Sequence, residues 1–319
     1  MPPIKHILVI VDPTAQVQHC VEKGASLARA FGAELELFVC DYQSGLLASG
    51  GLPDEVVQAA LQERRQQLVE QLRVLAEPLR QAGLQVVTDC SFHERLHTGV
   101  IRKVQASGAD LVIKDTHFHG VLRRALFTNS DWHLIRECTV PLLLTKPSAW
   151  HPHLRVAAAL DPGHSDDKPA SLDRQLLEMT ESLAAAMDGE VLAVHAFDPM
   201  PLVAGMVSTA NGIGTAPFID VAFIESLRQF HKAAFDGVLA GYPAFAGRAK
   251  VIEGSPIAEL PGYLARKEVD VLVAGAVSRS ALQRFVVGST AERLLDRLPC
   301  DILVVKPVQA MQTAVPVAD

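Results

Sequence analysis

The stretch Val271-Leu-Val-Ala-Gly275-Ala-Val-Ser278-Arg-Ser-Ala-Leu-Gln-Arg-Phe-Val-Val-Gly288-Ser289-Thr-Ala-Glu292 decides how the rest of the chain reads. It opens with an apolar run short enough to be a buried parallel strand. Gly275 stands at the exit of that strand. A twelve-residue loop follows, and Gly288-Ser289 then leads into an amphipathic helix, with Ser289 and Glu292 spaced as a capping box. Strand, glycine-bearing loop and helix N-terminus together can hold a phosphate, because free backbone N–H groups point outward and the helix dipole favours an anion. The same residues also fit a plain strand exit and helix cap, so the surrounding chain has to decide.

The 319 residues allow two domains of about 150 residues, each with its own core. Hydrophobic residues make up 49% of the chain, which suits buried parallel sheets rather than disorder. No uncharged apolar run approaches the ~18 residues of a membrane span. Met1-Pro-Pro-Ile-Lys-His6 runs straight into a strand without the charged and apolar regions of a signal peptide, so a cytoplasmic location is expected. The five scattered cysteines form no CxxC pair and read as small core hydrophobes. A net charge of −7 without a polybasic run argues against nucleic acid and anionic membranes as partners.

Working outward, strands alternate with helices along the whole chain. Strands are predicted over 4–11, 35–40, 86–90, 111–114 and 142–145. Helices are predicted over about 15–31, 54–82 (Asp54 as N-cap), 95–107 and 129–138. Residues 148–153, with Pro147 just before them and Pro152 inside, form a linker. The pattern then restarts, with strands over 156–160, 191–197, 249–252, 269–274 and 302–305. Its helices fall at about 170–187, 218–240, 256–267 and 289–298. This alternation gives an α/β chain with two tandem doubly wound parallel sheets. The halves match directly: Asp12-Pro13 corresponds to Asp161-Pro162, Ala109-Asp-Leu-Val-Ile113 to Val269-Asp-Val-Leu-Val273, and Leu142-Leu-Leu-Thr-Lys-Pro147 to Ile302-Leu-Val-Val-Lys-Pro307. The expected domains are 1–147 and 154–307, with 308–319 as a tail. The second half also carries an apolar, glycine-rich loop over 198–217, for which a binding lid and a plain connector are equally open.

Duplicated α/β halves, an Asp closing the first strand and Gly-x2-[small]-x9-Gly-Ser after the fourth resemble a tandem universal stress protein over the whole chain. Phe127-Thr-Asn-Ser-Asp-Trp132 and the ending Asp301-Ile-Leu-Val-Val-Lys-Pro307 resemble the fused two-domain type of that family. The resemblance implies a sheet order of 3-2-1-4-5 in each half. That order sets the ends of the first and fourth strands side by side at the topological switch point. It further implies an adenine nucleotide site, ATP or AMP with Mg2+, at Asp161, Gly275, Ser278, Arg279, Gly288, Ser289 and Thr290. Ser278 departs from the family's middle glycine and resists positive φ more than glycine does. The resemblance also implies that the apolar fifth strands pair with each other, making the chain an intramolecular pseudo-dimer and leaving a further homodimer open.

In the first half the aligned positions are Asp115, Phe118, Thr128 and Asn129. A carboxylate where a phosphate should sit opposes binding, so no nucleotide is expected there, and Asp12 is left as a turn residue before Pro13. His93-Glu94-Arg95-Leu96-His97 matches HExxH literally, but it falls at a strand-to-helix junction with no third ligand in the longer motif, so zinc catalysis is not expected. An incidental metal site near His117 and His119 is left open. No acid–base constellation is visible, which predicts a non-enzyme with at most slow, incidental ATP hydrolysis. The expected function is a stress-response protein regulated by nucleotide in its second half. Two alternatives stand beside it: a pocket repurposed for an amphipathic or lipid-like ligand, motivated by Phe118 and the 198–217 loop, and a ligand-free interaction scaffold.

Overall fold

The computed structural model describes residues 3–41, 53–93, 95–119, 124–126, 129–162, 171–200, 221–276 and 294–307. The chain divides into two compact units, residues 1–149 with 301–319, and residues 150–300. None of the helices among the described residues is long and apolar enough to cross a membrane.

In the first unit the elements run β1 (His6–Ile10), α1 (His19–Phe31), β2 (Glu34–Asp41), α2 (Asp54–Gln81), β3 (Val86–Phe92), α3 (Leu96–Ser107) and β4 (Leu111–Asp115). They continue through a short ladder, β5 (His117–His119) and β6 (Arg124–Leu126), to α4 (Asn129–Glu137) and β7 (Leu142–Thr145). The main sheet has the order β7-β4-β1-β2-β3, all parallel, which is the 3-2-1-4-5 winding expected. The β5–β6 hairpin was not expected, because nothing in that stretch alternates with period two over enough residues. Asp54 is not the cap of α2: Pro53 holds that position and Asp54 opens the first turn, where its charge meets the positive end of the helix dipole. Gly32 and Gly108 close α1 and α3 in the left-handed region, at φ 65° and 67°, as the sequence breaks there predict.

Helices cover both faces of this sheet. A Cβ on Gly24 of α1 would lie 2.6 Å from Val9 and 3.4 Å from Leu35, so α1 rests directly on that face. From α3, Lys103 reaches Glu36 at 2.6 Å and lies 5.5 Å from the Phe38 ring centre, on the opposite face of the same strand. All five cysteines are buried. Burial pushes the Cys40 thiol up to about 11, as suits a packing role.

A strand from the end of the chain completes the unit. β12 (Asp301–Val305) lies antiparallel to β7, with Ile302 opposite Leu144 and Val304 opposite Leu142. The fifth strands of the two repeats therefore pair within one chain. Asp301 is fully buried there. Its carboxylate takes the Lys23 ammonium at 2.7 Å and the Lys146 N–H at 2.7 Å, and Lys23 also donates to the Lys146 carbonyl at 2.8 Å. Lys306, just after β12, donates to the carbonyls of Arg136 and Cys138 at 2.6 and 2.7 Å.

Burial pushes the Lys306 amine down to about 8. Between pH 8 and the ordinary lysine value near 10.4 the unfolded chain then binds more protons than the folded one, so this residue makes stability rise with pH across that window. Urea unfolding of wild type and Lys306→Met at pH 7.5, 8.5 and 9.5 should show wild type gaining on the variant as pH rises. Parallel profiles would contradict the assignment.

The second unit runs β8 (Arg155–Ala159), α5 (Ser171–Ala186), β9 (Glu190–Phe197), α6 (Val221–Leu239), a 3-10 turn over Pro243–Phe245, β10 (Ala249–Glu253), α7 (Pro256–Arg266) and β11 (Val271–Gly275). Its strands have the parallel order β10-β9-β8-β11. One device recurs in both units. The Asp110 carboxylate accepts the backbone N–H groups of Lys5 and His6 at 2.8 and 3.0 Å. Asp270, its repeat partner, accepts those of Arg155 and His151 at 2.8 and 3.0 Å. Each pins the start of the first strand to the start of the fourth.

Candidate functional site

In the second unit β8 and β11 are hydrogen-bonded neighbours, with Ala159 paired to Ala274. Asp161 follows the end of β8 and Gly275 ends β11, so the two leave the sheet side by side, and both are exposed. Gly275 has a local reason to be glycine: a Cβ there would stand 2.7 Å from a methyl of Leu172 in the first turn of α5. The other expected site residues, Ser278, Arg279, Gly288, Ser289 and Thr290, lie outside the described residues, as does most of the 198–217 loop.

Behind this edge is a cluster that sequence reasoning missed. His195 is 1% exposed. Its Nδ1 lies 3.0 Å from the carbonyl of Leu160, the residue before Asp161, and its Nε2 lies 2.9 Å from Nδ1 of His231 on α6. A carbonyl only accepts, so Nδ1 of His195 carries a proton; a neutral His195 then accepts at Nε2 from the His231 Nδ1–H. His231 also stacks on Phe197, with centroids 4.4 Å apart and planes within 12°. The cluster fixes the strand end that carries Asp161. The one sequence signal for it is a histidine at an inward position of an otherwise apolar strand.

The first unit is arranged differently at the same place. Asp12 accepts the N–H and the hydroxyl of Thr14 at 2.8 and 2.7 Å, the local turn expected of it. Asp115 stands where the second repeat has Gly275, and its carboxylate accepts the Thr145 hydroxyl at 2.5 Å. Beside it Lys114 pairs with buried Asp131 at 2.8 Å and donates to the Asp115 carbonyl. The strand end is thus tied up by its own side chains. Burial first, and the Asp115 charge second, push the Cys20 thiol up well beyond its ordinary value, so it is a poor nucleophile. Phe118, Thr128 and Asn129 have no described side chains, nor do His117 and His119.

The HExxH match is not a helical motif, because α3 begins only at Leu96. His93 precedes it and packs against Gly99, where a Cβ would come within 2.7 Å of the ring. His97 goes elsewhere: its ring stacks on that of His133 from α4, with centroids 4.0 Å apart and planes within 8°.

The sequence profile of the universal stress protein family matches residues 3–146 and 165–306. Universal stress protein E of Escherichia coli K12 is 26% identical over 323 residues, covering 99% of this chain and 98% of its own. The universal stress protein E homolog of Haemophilus influenzae is 23% identical over 312 residues, covering 95% and 97%. Among solved structures, a functionally unknown protein from Pseudomonas aeruginosa PAO1 superposes with a TM-score of 0.72 at 25% identity, covering 98% of this chain and 95% of its own. A universal stress protein from Archaeoglobus fulgidus shares the fold, with a TM-score of 0.62 at 13% identity over 94% and 98% of the two chains. With both repeats matched and the fold shared over nearly the full length, the chain belongs to the universal stress protein family.

Proposed function

We propose that the second unit binds an adenine nucleotide, ATP or AMP, as a regulatory ligand at the ends of β8 and β11, and that the first unit does not. The observation that carries this reading is the adjacency of Asp161 and Gly275 at two exposed parallel strand ends, the position where open α/β sheets bind ligands. From there the chain runs through Ser278 and Arg279 to Gly288, Ser289 and Thr290, whose sequence suits a phosphate at a helix N-terminus. Asp161 is the group for the ribose or base side, and Arg279 and Mg2+ are the counter-charges for the phosphates. The contrast with the first unit supports the same reading, since Asp115 sets a carboxylate at the position where the second unit has Gly275. The protein acts in this reading as a cytoplasmic stress-response component whose state follows nucleotide level.

The test is the thermal stability of the purified chain with and without millimolar ATP·Mg or AMP, beside Gly288→Trp. A ligand at 100 times its Kd adds about 2.7 kcal/mol to the unit that binds it. A saturable shift with one site per chain, lost in the variant, is the expected result. Absence of a shift, with an acyl-bearing molecule released on denaturation and seen by mass spectrometry, would replace the nucleotide with an amphipathic ligand. No shift and no released molecule would leave a scaffold.

A further inference from the structure

We infer that His97, His133 and Glu137 form a binding site for a divalent transition-metal ion, with Zn2+ the ion that the ligand set suits best. His133 and Glu137 stand four residues apart on α4, so both side chains share one helix face. His97 arrives from the first turn of α3 and lays its ring parallel to His133. Nδ1 of His133 is 2.9 Å from Oε1 of Glu137, and one ligand atom from each of the three residues lies within 4.8 Å of the others. Nitrogen and oxygen ligands bound to tetrahedral zinc at about 2.0–2.2 Å stand roughly 3.4 Å from one another. The two ring planes lie within 8° of parallel, so a shared ion requires the imidazoles to turn until their in-plane lone pairs converge.

The donor chemistry selects the ion. Two imidazoles and one carboxylate suit Zn2+, Cu2+ or Ni2+, whereas Mg2+ prefers oxygen ligands and water. His97 and His133 are half-buried and Glu137 is exposed, so an ion can reach them from solvent, and the fourth coordination position faces water or an added ligand. The ordinary alternative is a stacked histidine pair with a surface His–Glu contact. That alternative accounts for both contacts, and the titration below separates it from a metal site. The site lies in the first unit and does not rest on the nucleotide reading.

The experiment is calorimetric titration of the full chain, stripped with EDTA, using ZnCl2 and, as control, MgCl2. One zinc per chain with micromolar or tighter Kd is expected, with no Mg2+ binding at the same concentrations. His97→Ala and His133→Ala should each weaken zinc at least tenfold and Glu137→Gln by a smaller factor. Zinc should also raise Tm in wild type and not in the histidine variants. His97→Ala removes a half-buried ring and should fold, which its metal-free Tm and circular dichroism report. Zinc binding that His97→Ala leaves unchanged, equal binding of Mg2+, or no binding tighter than millimolar would each overturn the assignment.

Discussion

Asp301→Ala should lower the unfolding free energy of the first unit by about 3–5 kcal/mol, the cost of leaving a buried charge without its partner. Lys23 is the charge left behind. Its side chain is 7% exposed and that of Asp301 is 0% exposed. The substitution also orphans the Lys146 N–H, which donates to the second carboxylate oxygen. A buried donor without a partner adds to the loss. Lys23→Met with Asp301→Leu is the informative control, because replacing both members of a buried pair by apolar residues is far less costly than breaking it. Urea unfolding followed by circular dichroism gives the comparison. A loss below about 1 kcal/mol for Asp301→Ala, or a double variant weaker than the single one, would mean that the pair does not hold β12 in place.

Phe235→Ala should cost the second unit about 3–5 kcal/mol, the usual range for emptying a buried aromatic site. Phe235 is 1% exposed on α6, and its ring centre lies 5.9 Å from that of His195. The cavity would open beside the two-histidine chain that ends on the Leu160 carbonyl. The loss should therefore be accompanied by a changed ring environment for His195, visible in its nitrogen and proton resonances. Phe235→Leu should lose markedly less, since most of the volume is kept. A small loss for the alanine variant, or unaltered His195 resonances despite a large one, would separate α6 packing from the histidine pair.

Much of this architecture was legible in the chain. Continuous apolar runs such as Leu142-Leu-Leu-Thr145 read as buried parallel strands because both faces of such a strand are covered. The repeat supplied the order of the strands through its resemblance to a known family, and the left-handed glycines at 32 and 108 marked helix ends. What stayed hidden has a common physical cause. The Lys23–Asp301 pair joins residues 278 apart in sequence, and no local periodicity reports such a contact. The His195–His231 bond spans 36 residues and depends on which face α6 turns to the sheet. HExxH read as a strand-to-helix junction, and the helix does start after His93; what the spacing could not report is that His97 meets residues 36 and 40 positions further on. For the candidate nucleotide site, Asp161 and Gly275 were legible as a pair because strand order alone fixes their adjacency.

The position of β12 bears on how the protein is made. Its five residues, 301–305, complete a unit whose other strands are all synthesised by residue 145. At translation rates of about 5–20 residues per second, the ribosome needs roughly 8–30 s to cover the 156 residues from Thr145 to Asp301. Through that interval β12 is missing from the β7 edge and Asp301 from its place beside Lys23. The half of the chain that emerges first is therefore the half that finishes last, since a chain that stops short of Asp301 leaves its N-terminal unit without β12.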